Sequence, residues 1–98
     1  SALAEDFDAL LQEINGFAQR YNVNILNIKP TLLTEEKKYK TFLIRIEGQD
    51  DVATVSKFLF ALTKRHKNIG IERIQIKAQR KDELPRISIA LNAIIFKR

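Results

Sequence analysis

The chain has 98 residues, which is enough for one domain with one hydrophobic core. Hydrophobic residues make up 45% and charged residues 30% of it, a balance that argues against intrinsic disorder. The net charge of +5 makes nucleic acid, an anionic membrane surface or an acidic protein worth testing as a partner, whereas the absence of cysteine excludes disulfides, thiolate metal ligands and a cysteine nucleophile.

The first half of the chain predicts one helix and two strands. Apolar residues recur at three- and four-residue steps over residues 7–21, which predicts an amphipathic helix, and Asn22 is a suitable left-handed residue to end it. The β-branched content of residues 23–29 predicts a strand that ends at Pro30. The polar residues 31–38 then predict a long exposed loop.

A second strand and a second helix follow. Residues 39–47 alternate between apolar and polar side chains, which is typical of a strand with one buried face, and Gly48 is expected to end it. Asp50 or Asp51 is expected to cap a helix over residues 52–67, because a carboxylate stabilises the free N–H groups at a helix start.

Two more strands complete the chain. Residues 69–78 predict a third strand with a bulge near Glu72 and Arg73, where the alternation of apolar residues changes parity. A polar turn over residues 79–85 leads to the last strand, residues 86–96, which alternates regularly.

The two halves repeat one another. Adding 45 to apolar positions of the first helix and second strand gives apolar positions of the second helix and fourth strand, and an offset of 46 relates the first strand to the third. Two helix-strand-strand units bury both helices only on one face of a shared sheet. The prediction is an α+β, circularly permuted ferredoxin-like domain over residues 1–98, with a four-stranded antiparallel sheet in the order third, fourth, second, first.

Three runs of sequence carry a family resemblance: TFLIRIEGQDDVATVSKFLFAL, IGIERIQIK and RISIALNAIIF. They resemble the PilO family of type IV pilus assembly-platform proteins and, more distantly, the GspM component of type II secretion. The shared pattern is a strand ending in Gly, a helix with an aromatic-Leu pair and a later Leu, an Ile-rich strand and a long final strand. The matching positions are Gly48, Phe58, Leu59, Leu62, Ile69, Ile71, Ile74 and Ile76.

The resemblance covers roughly residues 5–96 and implies a structural role. Family members are bitopic inner-membrane proteins in which a transmembrane helix and a coiled coil precede this periplasmic domain, and the domain pairs with itself and with PilN. We therefore expect a fragment of a longer membrane-anchored protein that forms a homodimer and binds a PilN-like heteropartner. The longest apolar run here, residues 58–62, is far shorter than the ~18 residues of a spanning helix, so the expected anchor would lie in a missing N-terminal segment.

The sequence offers no catalytic, cofactor-binding or metal-binding residues. His66 is the sole histidine, whereas a zinc site needs three or four ligands, so a residue at a helix end is the expected role. The serines lack an activating motif, and the scattered glycines form no phosphate-binding loop. We therefore expect a protein that is not an enzyme and carries no cofactor.

Four apolar residues lie out of phase with the predicted core and are the candidate interface residues. Phe60 lies far around its helix from the buried stripe, while Leu43, Ile94 and Phe96 point to the open face of the sheet. The alternative is a basic RNA-binding or small-ligand regulatory domain on the same fold. RNA binding needs aromatic rings on the open face, and the central positions there carry none, so no nucleic-acid partner is expected. Those positions are Leu43, Arg45, Glu47, Ser88, Ala90 and Asn92.

Overall fold

The structure is a computed structural model that describes the backbone of residues 2–98 and the side chains from Phe7 onward. All three strand pairings are antiparallel, and the strands lie in the sheet in the order first, second, fourth, third, as the repeat predicts. The fold is therefore the predicted α+β, ferredoxin-like arrangement of two helix-strand-strand units. Its elements are α1 (Ala2–Arg20), β1 (Ile25–Glu35), β2 (Tyr39–Gln49), α2 (Val52–Arg65), β3 (Ile69–Lys77) and β4 (Arg86–Phe96).

One hydrophobic core lies between the helices and the sheet. The apolar stripe of each helix packs on alternate residues of the two central strands, and the most completely buried side chains include Ile14, Ile44, Phe58 and Leu91. Each large apolar side chain buried in this way contributes about 1.5–3 kcal/mol to folding. The regular alternation of β2 and β4 thus fixes which face of the sheet the helices cover.

Specific residues begin and end the helices. Asn22 has a φ of 56°, the left-handed conformation predicted for it, and the Val23 N–H donates to the Ala18 carbonyl at 2.9 Å. Asp51 is the N-cap of α2 and accepts a hydrogen bond from the Thr54 N–H at 2.8 Å. This hydrogen bond is the main reason that the pKa of Asp51 lies below its usual value.

The predicted loop over residues 31–38 is wrong. β1 continues through Pro30 as far as Glu35, and only residues 36–38 form the connection to β2. Pro30 pairs with Ile44, at a position where the register directs backbone groups of β1 outward. Because the missing N–H of proline removes no hydrogen bond from the sheet there, the strand does not end.

Smaller boundaries also differ from the prediction. Gly48 does not end β2, which runs on to Gln49, and a side chain at Gly48 would bring its Cβ within 3.0 Å of the Asn24 carbonyl oxygen. α2 ends at Arg65 rather than residue 67, with His66 as its C-cap. The predicted bulge in the third strand is confirmed, because the register of β3 shifts between Ile71 and Arg73.

Candidate interaction surfaces

One end of the open sheet face is apolar. Tyr39 of β2 pairs with Phe96 of β4, and their ring centroids lie 6.4 Å apart in an edge-to-face arrangement. Ile94 and Leu43 lie on the same face of the sheet, further along the two strands. Leu33 reaches this face from β1 and lines the same depression as Leu43. We call these five residues the apolar end. Phe96 is 66% exposed and Leu33 54% exposed, so a substantial apolar area faces solvent.

The centre of the open face is polar. A shallow depression of about 350 Å³ is lined partly by Arg45, Glu47 and Glu72. The Ser88 hydroxyl donates to the Glu47 carboxylate at 2.7 Å, and the Asn92 amide donates to Glu72 at 2.7 Å. These hydrogen bonds hold both carboxylates on the open face, where Arg45 and Arg73 line the same depression.

A charged cluster lies at the same end of the sheet but on its helix side, because Glu35 pairs with Lys40 and Lys40 pairs with the buried Ile95. The Glu35 carboxylate accepts a hydrogen bond from Lys97 at 3.2 Å and lies 3.5 Å from the Lys40 ammonium. The hydrogen bond from Lys97, with the positive charge of both lysines, lowers the pKa of Glu35.

The structure separates the four predicted interface residues. Leu43, Ile94 and Phe96 lie together at the apolar end. Phe60 lies on the helix layer, where it is 67% exposed and its ring is 5.7 Å from the Lys64 ammonium nitrogen. Phe60 and Phe96 are thus equally exposed but belong to opposite sides of the domain.

His66 is a helix-end residue, as predicted. Its backbone N–H donates to the Leu62 carbonyl at 2.9 Å, and its Nε2 lies 3.8 Å from a Glu13 carboxylate oxygen. Its ring lies edge-to-face with that of Phe17, with the ring centroids 6.0 Å apart. Within the described part of the chain, no three His, Asp or Glu side chains converge in a way that could hold a metal ion.

The sequence interpretation missed an apolar row on β3. Ile71, Ile74 and Ile76 pair with buried residues of β4 on the helix side of the sheet, yet they are 43%, 45% and 54% exposed because neither helix covers them. We call these three residues the β3 isoleucine row. The sequence signal for this exposed row is a strand predicted at the sheet edge that carries three isoleucines on one face.

Comparison with known proteins agrees with this architecture. The strand order and the placement of both helices on one face define a circularly permuted ferredoxin-like domain. No protein-family model and no curated protein matches the chain. Among solved structures, the fold is PilO-like.

Three solved structures illustrate the likeness. The type 4 fimbrial biogenesis protein PilO from Pseudomonas aeruginosa superimposes with a TM-score of 0.80 at 16% identity, over 96% of this chain and 71% of that one. The core region of PilO from the same organism gives 0.64 at 15% identity, over 82% of this chain and 88% of that one. A protein from Akkermansia muciniphila, solved without its transmembrane region, gives 0.73 at 21% identity, over 100% of this chain and 58% of that one.

Across residues 2–98, neither helix is both long enough and apolar enough to cross a lipid bilayer.

Proposed function

We propose that this chain is a protein-interaction domain of a type IV pilus inner-membrane assembly platform. It acts by pairing with a second copy of itself and with a PilN-like heteropartner. The observation that carries the proposal is the apolar end, a cluster of exposed apolar side chains on the sheet face that the helices leave open, in a domain with the fold of PilO. Because the sequence also resembles GspM, the same role in a type II secretion system is part of the proposal.

The energetics of the apolar end fit such a role. Phe96 and Tyr39 are large side chains with few rotatable bonds, and they already contact each other, so burial against a partner costs little side-chain entropy. Burying a side chain of this size contributes about 1.5–3 kcal/mol. Several such contacts at one end of a face form the apolar centre of the proposed interface.

The setting is part of the same proposal. Residues 1–98 are one domain of a longer protein that is held at the inner membrane by a transmembrane helix outside this sequence, with this domain in the periplasm. The support is the PilO-like fold together with the Akkermansia structure, which was determined without a transmembrane region.

Two phenylalanines provide a matched test. We expect Phe96→Asp to weaken self-association by roughly tenfold or more in sedimentation equilibrium, since it places a charge in the apolar end. Phe60→Asp introduces the same charge at an equally exposed site on the helix layer. If Phe60→Asp weakens self-association and Phe96→Asp does not, the contact lies on the helix layer and the proposal for the open face is wrong.

RNA binding remains the second candidate function, because the Tyr39–Phe96 pair does place two aromatic rings on the open face. The centre of that face has mixed charge, with Glu47 and Glu72 beside Arg45 and Arg73, and is not the uniformly basic surface that a phosphate backbone favours. Titration with single-stranded RNA over a salt series tests this candidate. Binding that weakens steeply with salt would favour it, and no binding at low salt would remove it.

A further inference from the structure

We propose that the outer edge of β3 accepts an extended segment of a partner protein, in which apolar residues alternate with acidic ones, as an added β-strand. The inference deepens the proposed function, on which it rests, by assigning a second surface and the chemistry of what binds there. Three features of β3 carry it: its free backbone groups, the β3 isoleucine row and the charge of its opposite face.

The backbone of β3 is free on its outer side. The Ile94 N–H donates to the Asn68 carbonyl at 3.0 Å, which fixes the residues of β4 whose backbone groups point toward β3. Ile74 and Ile76 pair with the alternate residues, so their own N–H and C=O groups point away from the sheet. These groups are the donors and acceptors that an added strand would use.

The β3 isoleucine row provides the apolar contact. The three side chains lie on one face, as they must to meet alternate residues of an added strand, and each is more than 40% exposed. Apolar side chains placed opposite them would be buried by the pairing. Cross-strand pairs of β-branched residues stabilise a sheet in this way.

The other face of β3 is basic. After the bulge it presents Arg73, Gln75 and Lys77, and Lys77 pairs with Arg86 of β4. Neither Arg73 nor Lys77 forms an ion pair with any residue that the structure describes. The nearby Glu72 accepts a hydrogen bond from Asn92. Acidic residues in the added strand would therefore meet two cationic side chains that form no ion pair with the described residues.

A second copy of β3 fits this edge less well. The antiparallel register that places Ile74 against Ile76 of the second copy also places Arg73 against Lys77, and symmetry repeats this contact. Like charges directly opposite each other destabilise a strand pair. The register centred on Ile74 instead places Ile76 against Glu72, beside the shift in register of β3. Charge thus favours an acidic partner over self-pairing.

A synthetic peptide in which valine alternates with glutamate, acetylated and amidated, tests the inference by NMR titration of the ¹⁵N-labelled chain. We expect resonance shifts in β3 and slower exchange of the Ile74 and Ile76 amide protons, by roughly tenfold or more at saturation. The same peptide with lysine in place of glutamate should bind at least about tenfold more weakly. Equal binding of the two peptides, or shifts confined to other strands, would overturn the inference.

Two variants locate the binding edge. Ile74→Asp should weaken binding of the glutamate peptide roughly tenfold or more, because it places a charge within the apolar row and repels the peptide. Leu32→Asp is the matched control, since Leu32 is a similarly exposed apolar residue, 48% against 45%, on the opposite edge strand, and it should bind as the wild type does. Wild-type binding by a folded Ile74→Asp chain would contradict the proposal.

The same samples separate this inference from the proposed function. Ile74→Asp should leave self-association in sedimentation unchanged, because Ile74 lies on the helix side of β3 and not at the apolar end. Absent peptide binding with intact self-association would overturn the β3 proposal alone. Peptide binding by a chain that remains monomeric at all concentrations would support the β3 proposal and contradict the homodimer.

Discussion

The two edges of the sheet are built differently although both belong to equivalent strands of the repeat. β1 carries Pro30 and two shifts of register along its pairing with β2. β3 carries one shift of register and no proline, and it presents three exposed isoleucines on one face. Proline and bulges are the usual protection of an edge strand against unwanted pairing. The comparison indicates that β1 is closed to strand addition and β3 is open.

The position of Pro30 within β1 explains how the closure works. The register directs its missing N–H outward, so the sheet keeps its own hydrogen bonds while an approaching strand finds no donor at that point. β1 also exposes apolar side chains such as Leu32, so hydrophobicity alone does not distinguish the two edges. The difference lies in the backbone.

The largest expected effect comes from the glycine that faces the β1 edge. Gly48→Ala should lower the free energy of unfolding by about 1–3 kcal/mol, because the new Cβ would lie 3.0 Å from the Asn24 carbonyl oxygen, a backbone atom with little freedom to move. Urea unfolding measures the change. An unchanged unfolding midpoint would show that the start of β1 is looser than the structure indicates.

The equivalent change at the β3 edge should cost less. Gly70→Ala places its Cβ 2.8 Å from the Asn92 side-chain oxygen, and that side chain is able to rotate away at the expense of its hydrogen bond to Glu72. We expect a loss of about 0.5–1.5 kcal/mol, which is the net value of one hydrogen bond. If Gly70→Ala lowers the free energy of unfolding more than Gly48→Ala does, the expected order of the two substitutions is wrong.

Pro30→Val tests the closed edge directly. Restoring the outward N–H should let the glutamate peptide, or a second chain, pair with β1, and it should change the free energy of unfolding by less than about 1 kcal/mol. Hydrogen exchange of the residue 30 and Ile28 amides with and without peptide reports the new pairing. If the valine variant shows no added protection, proline is not what closes this edge.

The smallest effect concerns neither edge and serves as a reference. The pKa of Asp51 is lowered in the folded state, mainly by the hydrogen bond from Thr54. Its carboxylate therefore stabilises the fold above the unfolded pKa, and this stabilisation is lost as the pH falls below about 4, through the folded pKa. We expect Asp51→Asn to lose this contribution to the pH dependence of thermal unfolding while it retains the helix cap. An unchanged pH profile in Asp51→Asn would contradict the assignment.

The sequence predicted the strand order and the core because β2 and β4 alternate without interruption. Residues such as Ile44 and Leu91 are buried as the pattern requires. The effect of Pro30 was not predictable because it depends on which way the backbone N–H points, and that direction is known only once the partner strand and its register are known. Its missing N–H was therefore read as the end of a strand.

The surfaces were harder to predict than the core. Leu43, Ile94 and Phe96 were assigned to the open face from strand parity alone, and parity holds in the structure. Their separation from Phe60 needed the relative placement of helix and sheet. The exposure of Ile74 likewise depends on how far the helices extend over the edge strand, which no local pattern of residues encodes.

The repeat that relates Ile44 to Ile89 makes Pro30, which pairs with Ile44, equivalent to Ile74, which pairs with Ile89. The two edge strands therefore differ at this equivalent position, where β3 has an outward backbone N–H at Ile74 and β1 has none at Pro30. A sheet in which only one edge strand can pair accepts one added strand, because the opposite edge strand cannot pair with another. The β3 proposal thus implies finite complexes of fixed stoichiometry and not open-ended polymerisation into fibres.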